Sequence, residues 1–398
     1  MKPARTSSLL AAILLGCIAA PTTARAEPAI VDAAILDKAP PAVRVESVTM
    51  RITAFEQNGQ GYQSQAGPVD LGPGSERLTV FQPQVEVVVK QGDRLTHRVW
   101  LPLDVVSAAS PAAIDKSPVS ADIVSNASRR NVAGALDWTT VYKADKRTDY
   151  FARSGFHLEE NFRSWNVGLG ASRSFAEDNA VVSGSANAVF DIFDRFDFTG
   201  HRHGRAQRSA NNLNLGLTQL LTPTTVAHVN YGITVQRGEL GNTWNSVPLD
   251  VGYRNGELLP DLRIRHAAVA RVAQFLPWNG ALKAFYRFYA DDWGIRANTL
   301  ETQIHQRLTP WLYLRGIYRV HDQRGADFFT VRASSEARLR TADSDLQTFV
   351  AQTWGLAAAA DLPFATYKSL HFDVGYERYF RSNGLSVNIV TWATGFRF

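Results

Sequence analysis

The pattern of connections constrains this chain most. About sixteen stretches alternate apolar and polar residues at the two-residue period of a strand: roughly 43–55, 77–90, 94–106, 132–143, 147–159, 162–175, 179–193, 209–221, 224–237, 264–276, 281–291, 296–308, 311–323, 345–360, 367–380 and 385–398. The joints after the even segments are all short, marked by QGD, KADK, AED, TPT, LPWN, TPW and PFAT. The long joints, 56–76, 107–131, 194–208, 238–263 and 324–344, all follow odd segments. A soluble sandwich alternates too, apolar inward and polar outward. It has no reason to sort its loops by parity. Short turns on one side and long loops on the other are the mark of a bacterial outer-membrane barrel, with the turns periplasmic and the loops outside. The expected fold is therefore all-β: a transmembrane antiparallel β-barrel of about 16 strands over residues 43–398, both chain ends on the short-turn side.

Each segment is near or above the ~9–11 residues that a tilted strand needs to cross a bilayer. The two faces separate cleanly in several of them. In WLYLRGIYRVH, Leu312, Leu314, Gly316, Tyr318 and Val320 oppose Tyr313, Arg315, Ile317, Arg319 and His321. In NLNLGLT, Leu213, Leu215 and Leu217 oppose Asn212, Asn214 and Gly216. Pro83 and Pro102 fall inside the second and third segments. Proline cannot donate to a ladder, so a bulge or a miscounted strand is expected there.

The chain ends on an aromatic inside this pattern. Val390, Trp392, Phe396 and Phe398 share one face of NIVTWATGFRF. An open sheet edge cannot face hydrocarbon, because each unpaired backbone group costs several kcal/mol there. The last strand must then pair with the first, and Phe398 ends the closing strand at the interface where aromatic rings collect. Trp392, Phe396 and Phe398 also resemble the terminal signal that the outer-membrane barrel-assembly machinery recognises.

The N-terminus reads as an export signal. Lys2 and Arg5 precede the apolar run LLAAILLGCIAA, and Ala24-Arg25-Ala26 is a small-residue cleavage site, giving a signal peptide over 1–26 and a periplasmic lead over 27–42. A competing reading takes LLGC as a lipobox with Cys17 acylated. Cys17 is the only cysteine, so cleavage after Ala26 leaves no thiol for a disulfide or a zinc site. The net charge of +5 is spread along the chain, which argues against a nucleic-acid surface.

The polar faces supply the candidate pore lining: Arg153, Lys283, Arg287, Glu301, His305, Arg307, Arg315, Arg319, His321, Asp373 and Glu377, together with Arg51, Arg98, His157 and Asp291. A barrel of this size commonly leaves an aqueous channel. The bland alternative is a lumen filled by its own side chains and loops through Arg–carboxylate pairs.

From about Trp138 onward the chain resembles an uncharacterised family of proteobacterial outer-membrane proteins, domain of unknown function 3570. The residues that carry the resemblance are AFYRFYADDWGIRANTLETQIHQRLTPWLYLRGIYRVHDQRGADFF (284–329) and the closing hairpin VGYERYFRSNGLSVNIVTWATGFRF. The resemblance implies a barrel and no activity.

Other chemistry is weak. His201 and His203 in FTGHRHGR could bridge a metal from a long outer loop, but no third ligand is placed. Asp291-Asp292 could be paired carboxylates, although Asp before Trp-Gly is ordinary turn chemistry. Residues 242–261 mix aromatics and charges, as sugar-binding or constricting loops do; a solvated surface loop fits equally. No catalytic residue, metal or cofactor is expected. The expected function is a pore for small hydrophilic solutes with mild anion bias. A non-conducting structural or export partner comes second, and an outer-membrane hydrolase, which would need Ser and His on adjacent strands, comes last.

Overall fold

The structure, a computed structural model, describes residues 43–59, 78–107, 131–196, 201–241, 246–365 and 368–398. The expected signal peptide, Cys17 and the lead over 27–42 lie outside them. In chain order the strands are β1 (Val43–Asn58), β2 (Leu78–Gln91), β3 (Leu95–Ser107), β4 (Asn131–Lys143), β5 (Thr148–Glu159), β6 (Phe162–Phe175), β7 (Ala180–Phe196), β8 (Arg202–Thr222) and β9 (Thr225–Gly238). A small hairpin follows, β10 (Ser246–Pro248) with β11 (Arg254–Gly256). Then come β12 (Leu262–Leu276), β13 (Gly280–Asp291), β14 (Arg296–Arg307), β15 (Leu312–Arg324), β16 (Phe349–Ala365), β17 (Lys368–Arg381) and β18 (Ser386–Arg397).

Sixteen of these strands, all but β10 and β11, form one closed antiparallel barrel in which each pairs with its chain neighbours. Closure is made by β1 against β18, in register from Ser47↔Arg397 to Asn58↔Ser386. The ladder runs to the terminus: the Phe398 N–H donates to Glu46 O at 2.9 Å. No backbone edge is left for lipid to meet.

Alternation decides which side faces out. On β6 and β16 the outward leucines Leu169 and Leu356 are 67% and 69% exposed, surfaces only a hydrocarbon environment would cover. Leu213, Leu215, Leu217, Leu300, Ile304, Val374, Val390 and Trp392 are exposed on the same outer surface. The residues between them, such as Glu301, Thr299, Thr353 and Ala393, point inward and are buried.

The prolines do less than expected. Across β2 and β3 the pairing steps from Phe81↔Val105 to Gln84↔Pro102 with no change of register. Pro102 likewise opens a gap between Trp100↔Asp137 and Leu103↔Gly134. Each proline removes a donor without shifting the strand, so neither a bulge nor a miscount results. In this part of the barrel the register shifts instead on β1, between Val45 and Ser47. Elsewhere it shifts at Asp194/Phe196, Leu220/Thr222 and Pro363/Ala365.

The expected long loop 194–208 is corrected. β7 and β8 continue pairing from Asp194↔Arg205 to Phe196↔Arg202, leaving 197–201 as the connection. Beyond the apolar belt a hairpin needs no hydrophobic alternation to keep its ladder, so the polar run HRHGRAQR carried no strand signal. His203 therefore sits in β8.

Candidate functional site, the inner wall

The inner wall divides into two halves of different chemistry. On β6–β9 it is mainly neutral. Asn166, Asn187, Asn212, Asn214, Asn230 and Thr234 alternate inward with small residues. Asn212 Nδ2 donates to Thr234 Oγ1 at 2.7 Å, and Asn230 Nδ2 donates to Leu215 O at 3.0 Å. The glycines make room for these amides to lie along the wall: a Cβ at Gly168 would stand 2.0 Å from Asn187 Oδ1. Charges on this side are matched. Arg153 on β5 pairs with Asp137 at 2.9 Å, and Arg208 pairs with Asp191 at 2.6 Å.

The wall of β12–β17 is cationic. Arg263, Arg265, Arg271, Lys283, Arg287, Arg307, Arg315, Arg319 and Arg381 point inward, against Asp291, Glu301, Asp361, Asp373 and Glu377. Nine cations against five carboxylates leave this half net positive. Four arginines lie against aromatic rings of the same wall: Arg263 4.3 Å from the Trp293 ring centroid, Arg271 5.2 Å from Phe285, Arg287 5.4 Å from Tyr289 and Arg381 4.4 Å from Phe349. Such stacking holds a guanidinium flat along the wall while its charge persists.

A chain of polar contacts runs down β14. Arg319 Nε donates to Glu301 Oε2 at 2.6 Å, Gln303 Nε2 donates to Glu301 Oε1 at 2.5 Å, and His305 Nε2 meets Gln303 Oε1 at 3.0 Å. Thr299 Oγ1 and His321 Nδ1 are 2.8 Å apart. Among the described residues, Arg315 Nε and Glu377 Oε2 are buried without a hydrogen bond. Glu377 lies in the field of Arg315 and Arg319.

The strand registers place every sequence-derived inner residue on the inward face, including Arg51, Arg98, His157, Arg307 and Asp373. They bring Glu301, His305, Arg315, Arg319 and Glu377 onto three consecutive strand pairs, with Arg153 on the opposite side. Arg263, Arg265, Arg271 and Arg381 were not anticipated. The first three share the odd positions of LRIRHAAVARVAQ, so the same two-residue period would have found them.

Outer loops close around the rim. The β10–β11 hairpin and residues 325–348 are joined by the bridges Leu249↔Ala333 and Leu258↔Arg340. Val247, Leu249, Ala333 and Ala342 form a small shared core. The turn at 344–346 leans onto the inner side of the rim, where the inward Gln323 Nε2 donates to Asp345 O and Gln347 O, both at 2.9 Å. Arg381 Nη1 donates to Asp345 Oδ1 at 2.6 Å. Residues 246–261 are thus a packed partner of the second loop rather than a solvated excursion.

The carboxylates of YADDWG are committed to structure. Asp291 Oδ1 accepts from Trp293 N at 3.1 Å and Ile295 N at 3.0 Å, while its Oδ2 takes Arg263 at 2.6 Å. Asp292 Oδ1 accepts from Ile264 N at 2.9 Å. Among the described residues no group of three or more His, Cys, Asp and Glu could hold a metal, and His201 with His203 gains no further ligand.

A closed sixteen-strand barrel with an apolar outer belt, a polar interior and loops sorted by length is an outer-membrane β-barrel. The chain belongs to the family described as "Protein of unknown function (DUF3570)", whose profile matches residues 11–389. The match extends well before Trp138, where the recognisable motifs begin. No curated protein matches the sequence. Solved structures of similar shape include a "Bacterial polysaccharide outer membrane secretin", 8% identical, covering 88% of this chain and 98% of that one with a TM-score of 0.46. A BenF-like porin from Pseudomonas fluorescens is 8% identical, covering 89% and 99% with a TM-score of 0.44. A Pseudomonas aeruginosa FadL homologue is 9% identical, covering 90% and 91% with a TM-score of 0.43.

Proposed function

We propose that the barrel is a pore for small hydrophilic solutes with a mild preference for anions. The observation that carries this reading is the division of the interior: a net cationic wall on β12–β17 faces a neutral amide wall on β6–β9. Fixed positive charge beside a water-filled path raises the local concentration of anions and lowers that of cations. Arg271, Arg287 and Arg315 act as the selecting charges, with Lys283 beside them. Glu301 neutralises Arg319, and Asp137 neutralises Arg153, so these two contribute less. Asp373, Glu377, His305, Arg307 and His321 shape the path between them.

Single-channel recording of the refolded barrel in a planar bilayer tests this. Stable conductance steps with a reversal potential on the anion side in a salt gradient are expected. R287A/R315A should shift that potential toward neutrality. An unshifted potential would reject these residues as selecting charges. The interlocked outer loops favour a second reading, a barrel that does not conduct at rest and serves as a structural or export partner. A folded barrel that shows no conductance steps supports that reading instead.

A further inference from the structure

The outward face carries its own charge pattern, which the pore reading does not use. At the long-loop ends of the strands, arginines point outward: Arg163 on β6, Arg205 on β8, Arg237 on β9, Arg296 on β14, Arg324 on β15 and Arg378 on β17. The outward acids at this level are Glu56, Asp194 and Asp322. Among the described outward strand positions at the short-turn ends, only Arg173 and Lys368 are cationic. Tyr142, Tyr150, Phe175, Phe364 and Phe396 stand there instead, an aromatic girdle.

Three of the rim arginines, Arg163, Arg237 and Arg296, make no ion pair or side-chain hydrogen bond among the described residues. Arg296 and Arg324 are moreover direct cross-strand partners on one face. Like charges in that relation destabilise a sheet. Arg324 is held by Asp327 at 3.1 Å, which leaves Arg296 as the member of the pair turned to the lipid side without a carboxylate among the described residues. Their height is also defined. From Arg296 down β14 the outward residues are Asn298, Leu300, Thr302, Ile304 and Gln306. Ten residues at ~3.3 Å each, tilted by about 40°, span about 25 Å, the height of the apolar belt of such barrels. The arginines therefore stand at headgroup level on the side of the long loops.

We infer that this arginine belt binds phosphate-bearing lipid headgroups of the outer leaflet. The guanidinium fork matches a phosphate with two parallel charge-assisted hydrogen bonds, and an exposed apolar wall directly below it receives the acyl chains. The inference shares only the barrel's orientation with the pore reading and stands whether or not the barrel conducts.

Native mass spectrometry of the barrel refolded in non-ionic detergent tests it, with diphosphoryl lipid A as the probe. Wild type and R173Q, altered at the opposite end, should retain the lipid equally. R163Q/R237Q/R296Q should retain about tenfold less, the loss expected for removed charge-assisted contacts. Heat-modifiable migration on a gel verifies folding, and R296Q alone serves if the triple variant does not fold. Equal retention by the folded variant and wild type would overturn the inference. So would displacement of the lipid by millimolar inorganic phosphate, which would mark the site as one for free anions.

Discussion

At the residue scale, the pair Glu301–Arg319 shows how the inner wall is held. Both side chains are almost fully buried, and Gln303 takes the second carboxylate oxygen. A buried ion pair adds little net stability over an apolar pair, yet breaking one leaves an uncompensated charge. R319A is therefore expected to destabilise the barrel by about 3–5 kcal/mol, read as a lower urea midpoint in lipid vesicles. R319A/E301L should recover most of that loss. A double variant no better than the single one would show that the pair is not coupled. Arg315, whose Nε is buried without a hydrogen bond among the described residues, is the opposite case. R315A breaks no ion pair among the described residues and is expected to fold with a far smaller loss.

At the element scale, the outer loops form a unit of their own. Asp250 ties the β10–β11 hairpin to residues 325–348: its N–H donates to Ala333 O at 2.9 Å, and its Oδ1 accepts from Ser335 N at 2.9 Å. The Ser335 N–H holds the Asp250 carboxyl below its ordinary value. A depressed carboxylate contributes stability above its unfolded pKa, near about 3.9, and loses it as the pH falls through the folded value. The tie should hold at neutral pH and loosen below about pH 4. Spin labels at Asn255 and Glu336 would report this as a broadened distance distribution in acid. D250N should show the same broadening at neutral pH. A distribution that is narrow in both conditions would mean that the bridges alone hold the loops. The strands, by contrast, owe their order to the ladder. Pro83 and Pro102 each remove a donor, and the register passes them unchanged because the neighbouring pairs on either side fix it.

At the scale of the whole molecule, closure is the organising fact, and the terminal residue takes part in it. Phe396 and Phe398 lie with Phe364 at the short-turn rim, ring centroids 5.2 Å apart in succession. If the terminal ring serves as an assembly signal, F398S should lower the amount of folded barrel in cells several-fold while refolding in detergent proceeds as in wild type. An equal loss in both settings would assign Phe398 a packing role instead. The strand count, most strand limits, the parity of the loops and the inward faces were legible in the sequence. The reason is that lipid forces a strict two-residue alternation and closure forbids an edge. The segment expected over 345–360 is β16, Phe349–Ala365, which runs through most of the expected PFAT turn. The extension of β7 and β8 past the membrane was not legible, because in water a hairpin needs no apolar face.

The sequence by itself determined the barrel and which side chains enter the interior, because each follows from local period and from the cost of an unpaired backbone in hydrocarbon. Only the tertiary structure decided what those side chains meet. Glu301 and Arg319 face each other through a register, and Arg296 meets Arg324 through the same pairing of β14 with β15. The contrast between the amide and cationic walls needed the closed sheet, which sets strands far apart in sequence across one lumen. The joining of the two outer loops rests on residues more than eighty positions apart, such as Asp250 and Ser335. No local pattern encodes such a contact, because it depends on how the closed barrel positions the strands that carry each loop.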